Sequence, residues 1–193
     1  MNKKLFAALI MGAVFFCSIN HTMYAEAKVY DDFAIDASFS NDGVALDDVP
    51  EISESDIRRI ARTLYGECRS DDVPTREKAA VVWCILNRLD SPNFPDTIEE
   101  VVVHSQFHGY KRKYPVREDL EAIVRDVVAR WQLEKQGYVG VGRVLPADYY
   151  FFRADKSGYS NVFRKEYKSK ELWDWELPDP YEFGFIGEER SYD

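Results

Sequence analysis

From Ser53 to Arg69 the chain sets Ile57, Ile60, Ala61, Leu64 and Cys68 at intervals of three and four, the spacing that lines one face of an α-helix. Ser53 and Asp56 form an S-x-x-D capping box, which fixes where this helix starts. A polar turn from Arg69 to Pro74 follows. Thr75 then opens a second helix through Ala79, Ala80, Val81, Val82, Trp83, Cys84, Ile85 and Leu86. That run is apolar nearly all round and so predicts a central core helix. Asp90-Ser91-Pro92-Asn93-Phe94-Pro95 breaks the chain, and Thr97 with Glu100 caps a short helix through Val101, Val102 and Val103. Arg117 to Gln136 repeats Leu120, Ile123, Val124, Val127, Val128 and Trp131 on one face. Glu118, Asp119 and Glu121 stand near its start, where the helix dipole favours anions, and Gly137 stops it. Tyr149-Tyr150-Phe151-Phe152, a turn at Asp155 to Gly158, and Tyr159 to Phe163 predict a small β-hairpin or extended flap. The fold class is therefore mainly α, of the α+β kind.

The ends of the chain change this picture. Asn2-Lys3-Lys4, an apolar run from Leu5 to Phe16 and the A-x-A site Ala25-Glu26-Ala27 read as a secretory signal peptide over residues 1–27. The apolar run is too short to span a bilayer, and Phe15 and Phe16 are too bulky for lipid attachment at Cys17. The mature protein is thus expected to be secreted, with no stable membrane span. Residues 28–52 carry Asp31, Asp32, Asp36, Asp42, Asp47, Asp48 and Glu51 without sustained periodicity, as a flexible acidic spacer does. A domain over 53–168 and an aromatic tail over 169–193, expected to pack on that domain, complete the chain. With 46% hydrophobic and 15% aromatic residues in 193, one ring-rich globular domain is expected, as a monomer. Loss of Lys3, Lys4 and Glu26 moves the formal charge from −9 to −10. Such acidity argues against a nucleic-acid partner. For Cys68 and Cys84, a disulfide and a pair of small buried thiols both fit the spacing.

Glu67 is the leading candidate for chemistry. At about 100° per residue it falls about 20° from Ile60 on the helical wheel, at the edge of the apolar stripe. Desolvation there disfavours the charged form, so the carboxyl group is expected to keep its proton to higher pH, as a general acid must. The alternative is a solvated Glu67 paired with Arg62 or Arg69. His104 and His108, with Glu100, make an E-x-x-x-H-x-x-x-H spacing, but the last residues look like an unwinding helix end and the zinc-protease pattern H-E-x-x-H is absent. No metal or other cofactor is expected. A Cys68 nucleophile is disfavoured by its place in the apolar stripe. The aromatics Phe107, Tyr110, Tyr149, Tyr150, Phe151, Phe152, Tyr159 and Phe163 have an ordinary role as core; with Gln106 and Asn161 they also suit a groove for a glycan.

Tyr65-Gly66-Glu67-Cys68-Arg69, then Ala79 to Arg88, Phe94-Pro95-Asp96-Thr97-Ile98-Glu99-Glu100-Val101-Val102, and Gln106-Phe107 resemble the bacterial cell wall hydrolase family that includes the spore-cortex-lytic enzymes. The resemblance runs from about Ile57 to about Tyr167. It implies a lysozyme-like helical fold related to lytic transglycosylases, acting on the glycan strands of peptidoglycan in the cell wall or spore cortex. It also implies that Glu67, as the glutamate of Y-G-E, is catalytic. Cys68-Arg69-Ser70-Asp71-Asp72 departs from the family's usual Ala and R-G-E continuation. Under this resemblance Glu67 protonates the bond between N-acetylmuramic acid and N-acetylglucosamine, then serves as base for the muramic 6-hydroxyl, giving a 1,6-anhydro end as a lytic transglycosylase does. In a hydrolytic muramidase Asp71, Asp72 or Glu77 would position water. Tyr65, Gln106, Phe107, Tyr150, Phe152 and Asn161 are the expected substrate-binding residues. A non-catalytic peptidoglycan-binding protein and an amidase are the remaining alternatives.

Overall fold

Ser53 caps α1, Glu54–Cys68, as the sequence predicts, its Oγ accepting from the Asp56 backbone N–H at 3.2 Å, while its hydroxyl donates to Asp56 Oδ2 in place of the second bond of a capping box. The computed structural model describes residues 50–105, 107, 109–155 and 160–182. The expected signal peptide and the expected spacer up to residue 49, Gln106, His108, residues 156–159 and residues 183–193 lie outside the described residues. Helix α2 spans Thr75–Asp90 and has Ala79 to Leu86 fully buried, as a helix apolar on all sides must be. Helix α3 spans Glu118–Lys135 and packs against both α1 and α2. Its end is a Schellman motif. Gly137, at φ 90°, donates to Glu134 O at 3.0 Å, and Tyr138 donates to Leu133 O at 3.1 Å.

The short helix after Thr97 takes a different form. Thr97 Oγ1 accepts from the Glu100 N–H at 3.3 Å, but Glu100–Ser105 winds as a π-helix instead of an α-helix. The wider turn spreads neighbouring residues less around the axis. Val101 and Val102 are accordingly both fully buried while Val103 is exposed.

Among the described residues the sheet has two strands, β1 Phe151–Ala154 and β2 Asn161–Arg164, paired antiparallel. Phe152 faces Phe163 and Ala154 faces Asn161, so these four side chains share one face of the hairpin. The polar end of α2 holds the approach to β1. Asn87 Nδ2 donates to Pro146 O at 2.8 Å and Tyr149 O at 3.0 Å, and Arg88 Nε donates to Tyr150 O at 2.6 Å. Residues 169–182 lie along the domain. The Trp173 N–H donates to Phe163 O at 3.0 Å, Trp175 sits edge-on to Phe163, and Tyr181 donates its hydroxyl to Asp126 Oδ2 at 2.6 Å. No helix among the described residues is long and apolar enough to cross a membrane.

Candidate active site

Glu67 occupies the last turn of α1, half-buried beside the fully covered Leu64 and the buried Cys68. Its Oε1 accepts the Gly109 backbone N–H at 2.8 Å. Two glycines allow that approach. A Cβ on Gly66 would stand 1.9 Å from Gly109 O, and a Cβ on Gly109 would stand 2.6 Å from Glu67 Oε1. Neither distance is tolerable, so the backbone after the π-helix reaches the carboxylate only because both side chains are missing.

Arg88 supports the same corner from below. It is 4% exposed, and its guanidinium lies 4.7 Å from the Phe107 ring centre, 5.2 Å from Phe94 and 5.3 Å from Phe151. Burial pushes its pKa down, while Cys84 and the negative charge of Glu67 act in the opposite sense. A buried guanidinium therefore acts electrostatically on the Glu67 carboxylate. Sequence reasoning gave Arg88 no role; the available signal was a charged residue closing an otherwise apolar helix.

A cleft of about 230 Å³ opens at Glu67. Gly66, Glu67, Arg69 and Ser70 border it on one side, and Ala154, Ser160 and Asn161 on the other. The small Ala154 side chain leaves the space open at this end of the hairpin, whereas Phe152 and Phe163 further along pack on each other at 5.7 Å. A larger hollow of about 490 Å³, bordered by Asp56, Arg59, Asp90, Ile98 and Glu99, shares none of these residues. Its Arg59 already bonds Asp56 and Glu99.

Asn161, expected to hold sugar substituents, is the one substrate-binding candidate that borders the Glu67 cleft among the described residues. It is buried, and both its backbone N–H and its Nδ2 donate to Glu77 Oε1. Glu77 Oε2 accepts Ser160 Oγ at 3.0 Å. Burial pushes the Glu77 carboxyl above its ordinary range; the Ser160 and Asn161 donors oppose this and the Asp155 charge adds to it. Glu77 thus spends its acceptors on the cleft wall. Asp71 pairs with Arg117 at 2.9 Å and is 87% exposed, and Asp72 accepts Ser70 Oγ at 3.2 Å.

The aromatic candidates distribute differently. Tyr65 packs against Tyr114 with ring centres 5.1 Å apart and planes tilted by 55°, and Phe107 packs against Phe152 at 5.6 Å; neither pair borders the cleft. Tyr150 lies over Phe94 at 5.3 Å and borders a separate hollow with Asn93 and Glu134. Cys68 and Cys84 are both free thiols, so the disulfide is not formed. The physical reason is placement inside the core: each packs as a small apolar residue, and burial raises both thiols, Cys84 to about 12. Such groups are poor nucleophiles.

Residues 73–171 match the Cell Wall Hydrolase family. A spore cortex-lytic enzyme of Bacillus subtilis is 39% identical over 61 residues, covering 32% of this chain and 19% of that protein. Spore cortex-lytic enzymes of Halalkalibacterium halodurans and Oceanobacillus iheyensis are each 44% identical over 50 residues, covering 26% of this chain and 14% and 17% of theirs. Each aligned stretch is thus less than a fifth of the relative's length. No solved structure matches the chain. The family match begins past Glu67 and takes in α2, the π-helix, α3 and both strands. Over half its length, this chain belongs to the cell wall hydrolase family.

Proposed function

We propose that this protein is an exported enzyme that cleaves peptidoglycan glycan strands between N-acetylmuramic acid and N-acetylglucosamine, with Glu67 as acid and then base. One observation carries the reading: a half-buried carboxylate on a cleft, one oxygen held by the Gly109 N–H. With Oε1 accepting that bond as the carbonyl oxygen of the neutral acid, Oε2 is left to carry the proton toward the substrate. Protonation of the bridging oxygen lets the C1–O bond break as oxocarbenium character develops. The resulting Glu67 carboxylate keeps the Gly109 N–H as a donor, which holds it in place for the second step.

Transglycosylation completes the cycle without water. The muramic 6-hydroxyl attacks C1, its proton passes to Glu67, and a 1,6-anhydro ring closes while the acid is regenerated. This step needs a single carboxylate, whereas hydrolysis by either standard route uses a pair flanking the bond. Asp71 turned outward to Arg117, Asp72 on Ser70, and Glu77 committed to Asn161 and Ser160 favour the single-carboxylate route.

The test is mass spectrometry of soluble products from purified sacculi, with wild type and Glu67→Gln compared. Anhydro-muramic ends are expected from wild type. Glu67→Gln is expected to lose activity by about a hundredfold to ten-thousandfold with its circular dichroism unchanged. Reducing ends would replace transglycosylation by hydrolysis, and cut stem peptides on intact glycan would overturn the reading entirely.

A further inference from the structure

We propose that Lys111, Arg112 and Lys113, together with Arg69, form a binding site for the free carboxylates of the peptide stems carried by the glycan. This deepens the reading of Glu67 above and rests on it. The three residues lie in the segment that follows Gly109, whose N–H holds the Glu67 carboxylate. All three are exposed. None forms an ion pair with an acid among the described residues, in a chain where 34 acidic residues outnumber 25 basic ones. The three are consecutive in the chain, so their charges stand together on one short segment.

The segment is fastened to α1. Arg62 Nε donates to Tyr114 O at 3.1 Å, Arg117 donates to Arg69 O at 3.0 Å, and the Tyr114 N–H donates to Lys111 O at 2.9 Å. The Tyr114 ring rests on Tyr65, with Lys111 Nζ 5.5 Å from the centre of the former and the Arg69 guanidinium 5.6 Å from the centre of the latter. Cations therefore cap both ends of a tyrosine pair, and Arg69 also borders the cleft. Acids on the adjoining segments are already engaged: Asp71 and Asp119 by Arg117, Asp72 by Ser70, and Glu67 by the Gly109 N–H. N-acetylated sugars offer no formal charge to such a surface. The peptide stem attached to muramic acid does, because it carries free carboxylates beside the bond that is cut. Positive charge kept for solubility alone does not account for the line of contacts from Lys111 through Tyr114 and Tyr65 to Arg69 at the cleft.

The experiment compares two substrates: sacculi freed of phosphate-bearing polymers, and the same sacculi with their stem carboxylates converted to neutral amides by a carbodiimide and ammonia, which leaves the cross-links and the insoluble wall intact. Wild type is expected to show a KM about tenfold lower on the unmodified sacculi, since exposed ion pairs are individually weak and three must act together. That advantage should shrink as salt rises from about 0.05 M to about 0.3 M. Lys111→Gln/Arg112→Gln/Lys113→Gln should lose the advantage through KM and not through kcat. Sedimentation of the inactive Glu67→Gln protein with both kinds of sacculi reads the same preference without turnover, so a failure of the catalytic reading and a failure of the stem site are told apart. Equal binding to both substrates, a preference that survives in the triple variant, or binding that appears only when phosphate polymers are left in place would overturn the proposal.

Discussion

Replacing Gly66 by alanine separates two opposite expectations. In an exposed helix interior, Gly to Ala adds about 1 kcal/mol of stability. Here the new Cβ would stand 1.9 Å from Gly109 O, against an ordinary contact of 3.4 Å or more, so the segment at Gly109 must retreat by about 1.5 Å. Overpacking of this kind costs about 1–3 kcal/mol, which cancels or exceeds the helix gain. The retreat also takes the Gly109 N–H beyond hydrogen-bond reach of Glu67. The bond contributes about 0.5–1.5 kcal/mol to the neutral acid and about 1.5–3 kcal/mol to the carboxylate, so its loss removes about 1–1.5 kcal/mol of differential stabilisation and lowers kcat by about fivefold to tenfold. Gly109→Ala is the control, because its Cβ meets the Glu67 side chain, 2.6 Å from Oε1, which can swing aside. That variant is expected to lose comparable activity with little change in Tm. Turbidity loss of suspended sacculi and thermal melting by circular dichroism measure the two effects. A Gly66→Ala protein that melts higher than wild type and clears sacculi as fast refutes the claim that backbone contact positions the carboxylate.

Three further outcomes follow from buried groups. Burial raises the folded-state pKa of Glu77 above the ordinary 4.5, so the neutral group's contribution is fully present below that pH and is lost as pH climbs through the folded value. Glu77→Gln keeps an acceptor oxygen and cannot ionise, so its Tm relative to wild type should improve between about pH 4 and pH 7; a flat or opposite trend contradicts this. In the chain from Lys28 onward, Cys68 and Cys84 should resist thiol reagents until unfolding, and reductant should leave Tm unchanged, whereas a reductant-sensitive Tm would reveal a bridge. Tyr181→Phe removes the hydroxyl from Asp126, which Arg130 Nε also holds at 2.8 Å, and should cost about 1–2 kcal/mol without altering turnover. An unchanged Tm would show that the tail contributes nothing there.

The helices were legible because their signals are local. Capping boxes, three-and-four spacing and a stop glycine place α1, α2 and α3 to within a few residues, and the wheel puts Glu67 at the stripe's edge, where the structure has it half-buried. Signals between distant residues were not legible. Glu77 reads from sequence as a candidate to position water, yet it bonds Asn161 across 84 positions. Nothing near Glu77 in the chain announces that partner. Gly66 and Gly109 look like ordinary helix-end and loop glycines until their backbones are seen to touch. Alternation in a short strand likewise does not say which face meets the cleft, and Tyr150 lies over Phe94, bordering a separate hollow.

Several of these long-range contacts run through α2. Its middle is fully buried, so its polar residues are confined to its ends, and each end grips a different part of the hairpin. Glu77 in the first turn holds Ser160 and Asn161 at the start of β2, while Asn87 and Arg88 in the last turn hold Pro146, Tyr149 and Tyr150 before β1. A helix is stiff over this length, so the hairpin's position is set by two sets of bonds on one rigid rod. Helix α1 packs on that same rod and carries Glu67. The separation between Glu67 and the wall formed by Ala154 and Asn161 is therefore fixed by α2, although α2 itself contributes none of the residues that border the cleft. A buried polar residue at either end of α2 acts on the cleft through the hairpin, and its loss leaves its partners' donors or acceptors unsatisfied in the interior as well.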